Sequence, residues 1–164
     1  MMKKAICAGS FDPPTLGHIN IIERSLKIFD KIIVAVAINI SKETILTVEE
    51  RLQLLKKILK GNENIEVTSF KGLLVEFARQ KNCKTLLRGI RNMSDYEYES
   101  QMSLANKSLN PDIDTIFMMT EGRYTHLSST FIKGILSSGG SCKGMIHPLV
   151  EEVLKKKLCN SPNE

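Results

Sequence analysis

A chain of 164 residues is long enough for one domain with a real core and too short for two comfortable ones. A hydrophobic fraction of 42% and a charged fraction of 25% exclude a disordered chain, and a net charge of +5 points to anionic partners without choosing among nucleotides, nucleic acid and acidic surfaces. No apolar stretch approaches the ~18 residues of a membrane span, and the run after Lys4 is too short for a signal peptide, so a cytoplasmic protein with no membrane partner is expected.

Residues 3–8 read as a first strand. Residues 17–29 follow as a helix, with Ile19, Ile22, Leu26 and Phe29 at helical spacing. The near-continuous apolar run 31–38 has the composition of a strand buried on both faces of a parallel sheet. Thr47 and Glu50 form a capping-box pattern that opens a helix running to about Leu59, closed by Gly61. A strand over 65–70, a helix over 73–80 and a strand over 84–88 come next. A long helix over 95–109, a fifth strand over 115–119 and closing helices over 128–136 and 148–158 complete the pattern. Strands separated by helices predict right-handed crossovers. The expected fold is therefore α/β: one Rossmann-like domain over 1–160, an open parallel five-stranded sheet with helices on both faces, and a frayed tail over 161–164.

Ligands of open parallel sheets gather at the carboxyl ends of the strands, which orders the candidates. After the first strand comes Gly9-Ser10-Phe11-Asp12-Pro13-Pro14-Thr15-Leu16-Gly17-His18. It reads as strand, glycine-bearing turn and helix, with a hydroxyl and an imidazole facing the amide-rich start of a helix, where an anion is favoured. The competing reading of the Thr15–His18 string alone is a capped helix entry with a solvent-facing histidine. Lys42 follows the second strand, and a single lysine in a polar loop means little by itself. Arg88-Gly89-Ile90-Arg91 ends the fourth strand, where two guanidiniums make a multi-donor clamp for phosphate oxygens; salt bridges to Asp95 or Glu99 are the competing reading. The carboxylates of 95–99 open a helix and are read mainly as structural. Before the next helix, Ser128, Ser129 and Thr130 offer more hydroxyls than a cap needs, which suggests a phosphate cradle.

The four cysteines show no CxxC spacing and are read as free thiols, and no metal cluster is expected. No Ser–His–acid set or paired carboxylates stand out, and neither GxxxxGK[ST] nor GxGxxG is present. A ring of cations, hydroxyls and helix N-termini is what direct phosphoryl or nucleotidyl transfer needs, because positioning and charge stabilisation do nearly all of that work. Few aromatics, with no aromatic-basic interleaving, argue against nucleic acid as a partner.

The segment 9–18 resembles the (T/H)xGH motif of the nucleotidyltransferase superfamily. Arg88–Arg91 with Asp95–Glu99, and Leu127–Thr130, narrow the resemblance to the phosphopantetheine adenylyltransferases, over about residues 3–158. The resemblance implies transfer of AMP from ATP to 4′-phosphopantetheine, giving dephospho-coenzyme A and pyrophosphate by direct in-line attack, without a covalent enzyme intermediate. It implies that Ser10, Lys42, Leu74 and Arg88 bind phosphopantetheine. Ser10, Phe11, His18, Gly89, Ile90, Arg91, Glu99, Tyr124, Thr125, His126, Leu127, Ser128, Ser129 and Thr130 would bind ATP. His18 is assigned the stabilisation of transition-state charge, with Lys42 and Arg91 as its catalytic partners. Magnesium (Mg2+) held mainly by the ATP phosphates and water, and a homohexamer, are implied as well. The alternatives are a nicotinate mononucleotide adenylyltransferase, a small cytidylyltransferase, or a non-catalytic nucleotide-binding module.

Overall fold

Period-two alternation builds the centre of the molecule. In β1 (Lys4–Gly9) and β2 (Lys31–Ile38), Ala5, Cys7, Ile32, Val34 and Val36 point to one face, while Ile6, Ala8, Ile33 and Ala35 point to the other. The chain was described by a computed structural model covering residues 2–39 and 43–159, the Cys159 side chain excepted. The remaining strands are β3 (Ile65–Lys71), β4 (Thr85–Ile90) and β5 (Asp114–Met119). All five run parallel in the order β3-β2-β1-β4-β5.

Helices α1 (Leu16–Ser25) and α2 (Val48–Ile58) bury Ile19, Ile22 and Leu55 on the first face, and α3 (Leu74–Gln80) buries Val75, Phe77 and Ala78 on the second. On that second face lies α4 (Met93–Leu109), whose Tyr96 stacks edge-on against Phe117 of β5. After a short 3-10 turn (Gly122–Tyr124), α5 (Ser129–Ser137) and α6 (Pro148–Cys159) pack Ile132, Leu136, Val150 and Leu154 against Leu46 and Leu54. The expected α/β architecture is the observed one. The chain moves outward from β1 to β3 and then returns to the opposite side at β4, so the sheet has its topological switch point between β1 and β4.

Three local departures from expectation have visible causes. Helix α1 ends at Ser25 rather than Phe29, because the Ser25 hydroxyl bonds the Ile22 carbonyl and Leu26, Lys27 and Ile28 close tighter i→i−3 turns that bring Phe29 into the core. β4 continues through Gly89 and Ile90, which pair with Met118 and Met119. α4 begins at Met93 because the Asn92 side chain caps it by accepting the Asp95 N–H. The Thr47–Glu50 capping box forms in both directions, at 3.2 and 2.7 Å.

Close packing of α1 on β4 depends on Gly89, where a Cβ would stand 3.1 Å from Ile21 Cγ1. Ile21 is 4% exposed and has little room to yield. Gly89→Ala is therefore expected to cost about 1–2 kcal/mol, read as a lower thermal midpoint of the ligand-free protein.

Candidate active site

At the carboxyl ends of β1 and β4 the structure opens a cleft of about 310 Å³. Its walls come from the 9–18 loop and the start of α1, the end of β4, the Asp95–Glu99 face of α4, and residues 127–130.

Thr15 and His18 form a reciprocal capping box at the start of α1. The Thr15 Oγ1 accepts the His18 N–H at 3.4 Å, and the Thr15 N–H donates to His18 Nδ1 at 3.0 Å. An Nδ1 that accepts a backbone proton carries none, so the neutral ring holds its proton on Nε2, as a donor. Burial lowers the His18 pKa to about 4, with the nearby Arg91 and Arg88 charges acting in the same direction. The ring packs edge-on against Phe11 at 5.2 Å. Phe11 takes φ +48 and is 1% exposed. Gly9 makes that possible, since a Cβ there would meet Phe11 Cε2 at 3.3 Å.

Both arginines are held in one pattern. Arg88 Nε and Nη2 fork onto Glu99 at 2.7 and 2.5 Å, and Nη1 donates to the Ala8 carbonyl. Arg91 Nε and Nη2 fork onto Asp95 at 2.7 and 2.9 Å, and Nη1 donates to the Leu127 carbonyl at 2.8 Å. Three of the five N–H donors of each guanidinium are used, which leaves two that no described residue takes. The ion pairs and the anion clamp are thus compatible: the carboxylates orient the forks, and the remaining edges stay available. Burial opposes the charge on Arg88, but its hydrogen bonds to Glu99 and the charge of that carboxylate outweigh burial and hold the pKa above the ordinary arginine value. Hydrogen bonds from Arg91 likewise keep the Asp95 carboxyl below its usual range.

At α5, Ser128 serves as the cap by accepting the Phe131 N–H at 3.0 Å, Ser129 donates its hydroxyl to the Pro13 carbonyl at 2.9 Å, and Thr130 lies exposed at the cleft. The cleft gathers Ser10, Phe11, His18, Gly89, Arg91, Glu99 and Leu127 with these three. Ile90, Tyr124, Thr125 and His126 are not in its lining. Ile90 is 2% exposed in the sheet, Tyr124 packs behind Gly17 under the Arg123 guanidinium, Thr125 bonds the Gly122 carbonyl, and His126 sits edge-on to Phe131. Lys42 lies outside the described residues.

Leu74 lines a second, more apolar chamber of about 210 Å³ with Phe70, Leu86, Tyr98, Met102 and Asn106. The two chambers share Ala8, Gly9, Ser10, Arg88 and Glu99.

Two buried charges escaped the sequence reading. Arg51 is 3% exposed on α2 and donates to the Ser10 carbonyl at 2.8 Å; the signal was a cation at a core-facing position between Val48 and Leu55. Asp12 was read only as part of its motif. Cys7 also lines the cleft, but burial pushes its thiol up to about 11, so it is protonated and no nucleophile at neutral pH. Cys7, Cys83 and Cys142 are free and buried. Among the described residues no group of three His, Cys, Asp or Glu side chains could hold a metal, and no helix is long and apolar enough to cross a membrane. The lysines of 155–157 pair with Glu151, Glu152 and Glu50, in line with a solvated face rather than an anion-binding patch.

Residues 6–135 match the cytidylyltransferase-like family model. A phosphopantetheine adenylyltransferase of Clostridium botulinum is 45% identical over 94% of this chain and 98% of its own length, and one of Clostridium tetani is 46% identical with the same coverage. Among solved structures, a putative nicotinate-nucleotide adenylyltransferase of Vibrio parahaemolyticus shares the fold at TM-score 0.67 and 21% identity, covering 94% of this chain and 99% of that one. The nicotinic acid mononucleotide adenylyltransferase of Plasmodium falciparum, complexed with NaAD, does so at TM-score 0.66 and 16% identity, covering 95% and 96%.

Proposed function

This chain belongs to the cytidylyltransferase-like family, among its phosphopantetheine adenylyltransferases, and from that premise we propose how its two chambers divide the reaction. The protein moves AMP from ATP to 4′-phosphopantetheine, giving dephospho-coenzyme A and pyrophosphate. ATP takes the polar cleft, and the pantetheine arm takes the apolar chamber beside Leu74. The observation that carries this division is the junction, where Ser10 and Arg88 belong to both chambers and an acceptor phosphate would meet the α-phosphate.

A phosphate oxygen of the acceptor attacks the α-phosphorus in line. The new P–O bond forms as the bond to the bridging oxygen breaks, and pyrophosphate leaves with that electron pair. The acceptor phosphate is already ionised near neutral pH, so no base is required. His18 Nε2–H and the free edge of Arg91 donate to the oxygens where charge grows, while Ser10, Lys42 and Arg88 hold the acceptor phosphate. The donor set fits a magnesium ion carried by the triphosphate and water, because Asp95 and Glu99 are both engaged by arginine forks. Bound there, the ion supplies charge neutralisation.

The reading includes a cytoplasmic homohexamer. Self-association of the chain is supported by α4, which buries no residue along its length yet exposes Tyr98, Met102, Leu104 and Leu109. Light scattering would return a mass near 18.4 kDa if the chain stays single.

Magnesium-dependent pyrophosphate release from ATP, measured with phosphopantetheine, with nicotinate mononucleotide and without acceptor, tests the function. Release with phosphopantetheine alone is expected. Release with the mononucleotide would keep the superfamily and replace the acceptor. ATP binding with no release would leave a nucleotide-binding module.

A further inference from the structure

Asp12 is 1% exposed and does not line the cleft. A carboxylate so far from water needs strong compensation, and it receives it from three directions. Its Oδ1 accepts the Leu46 N–H at 2.8 Å, its Oδ2 accepts the Ile45 N–H at 3.1 Å, and Lys133 Nζ lies 2.6 Å from Oδ2. Ile45 and Leu46 lead into the Thr47 cap of α2, a few positions after Lys42. Lys133 lies on α5, one turn past Ser129 and Thr130. Asp12 itself sits next to Phe11, whose ring lies against His18. One carboxylate is therefore the meeting point of three segments that contribute to different parts of the site.

Other bonds at the same place fix the loop's attitude. Arg51 spans from the Ser10 carbonyl at 2.8 Å to the Thr47 carbonyl at 3.2 Å, and the Ser129 hydroxyl bonds the Pro13 carbonyl. Behind them Leu46, Ile132 and Leu154 are 0% exposed in one apolar cluster.

We propose that Asp12 is a positioning residue for the transfer. Its carboxylate fixes the segment that follows Lys42, and the helix behind Ser128–Thr130, relative to the His18 loop, so that acceptor and nucleotide stand in line. The proposal rests on the adenylyl-transfer reading. In-line chemistry is sensitive to placement, and a misplacement of about 1 Å can cost about a hundredfold in rate.

Wild-type protein is assayed first. Absence of pyrophosphate release with phosphopantetheine would remove the parent reading before any variant is made. With an active wild type, Asp12→Asn is expected to lower kcat about 30-fold and to raise the phosphopantetheine KM, because the amide turns a donor toward donors. The ATP dissociation constant, measured by calorimetry, should stay within about threefold, since the Thr15–His18 box and the Arg91 fork are untouched. Lys133→Met keeps both backbone contacts and removes the third partner. It should lower kcat about fivefold, with ATP affinity likewise retained, and it carries the test if Asp12→Asn does not fold. A folded variant with kcat within twofold of wild type would overturn the role. So would a fall in ATP affinity as large as the fall in kcat, which is what a generally loosened fold would give.

Discussion

His18→Ala is expected to lower kcat by about two to three orders of magnitude while the ATP dissociation constant moves less than about threefold. The reason is the tautomer. With Nδ1 occupied by the Thr15 amide, the ring offers one fixed proton, at Nε2, to oxygens whose charge grows only during transfer. Equal losses in kcat and in ATP affinity would mean that the ring binds the ground state instead. The same geometry gives a pH signature. A histidine of ordinary pKa titrates near 6.5 in the unfolded chain, whereas in the folded protein it does so at about 4. The folded state therefore binds fewer protons in this window. The stability that a neutral His18 contributes is complete above pH 6.5 and is lost as pH falls toward 4, amounting to roughly 3 kcal/mol at about 1.4 kcal/mol per pH unit. Urea titrations between these limits should show a smaller acid loss for His18→Ala than for wild type.

Arg88→Met is expected to raise the phosphopantetheine KM more than about a hundredfold, the scale of a lost bidentate phosphate contact. It should also lower the thermal midpoint, because Glu99, with its side chain only 14% exposed, is left charged and unpaired, at a cost of roughly 3 kcal/mol. The two effects can be separated. Adding Glu99→Gln to Arg88→Met removes the stranded charge, so the double variant should regain much of the lost stability and none of the acceptor affinity. Arg88→Met with a normal acceptor KM would detach Arg88 from the phosphate, whatever its stability.

Much of the fold was legible because its signals are local. The apolar run 31–38 became β2 without a change of boundary, and Thr47 with Glu50 formed the box that their spacing announced. The location of the cleft followed from the same logic, since the loop after β1 and the arginines at the end of β4 meet at the switch point. What the sequence hid were partnerships between distant positions. Asp12 reaches Ile45 across 33 positions and Lys133 across 121, and no periodicity encodes such pairs. The carboxylates of α4 were legible as mainly structural, with salt bridges to the arginines as one reading. Acids in a first turn suit any helix, however, and only the packed strand shows that Glu99 grips Arg88 and Asp95 grips Arg91. The exposed apolar residues of α4 were equally opaque, because Met102 and Leu109 would look the same in a covered helix.

The paired forks have a kinetic consequence. Among the described residues of the cleft, Arg88 and Arg91 are balanced by Glu99 and Asp95, and the ring of His18 is neutral. Apart from Lys42, assigned to the acceptor phosphate, the surplus of +5 on the chain therefore lies outside these cleft residues. Long-range attraction from the described cleft residues does little to draw in the nucleotide, and its encounter should be governed by diffusion and fit. The association rate of the nucleotide should accordingly vary only weakly with ionic strength, in contrast to sites where unpaired cations steer their ligands from a Debye length away.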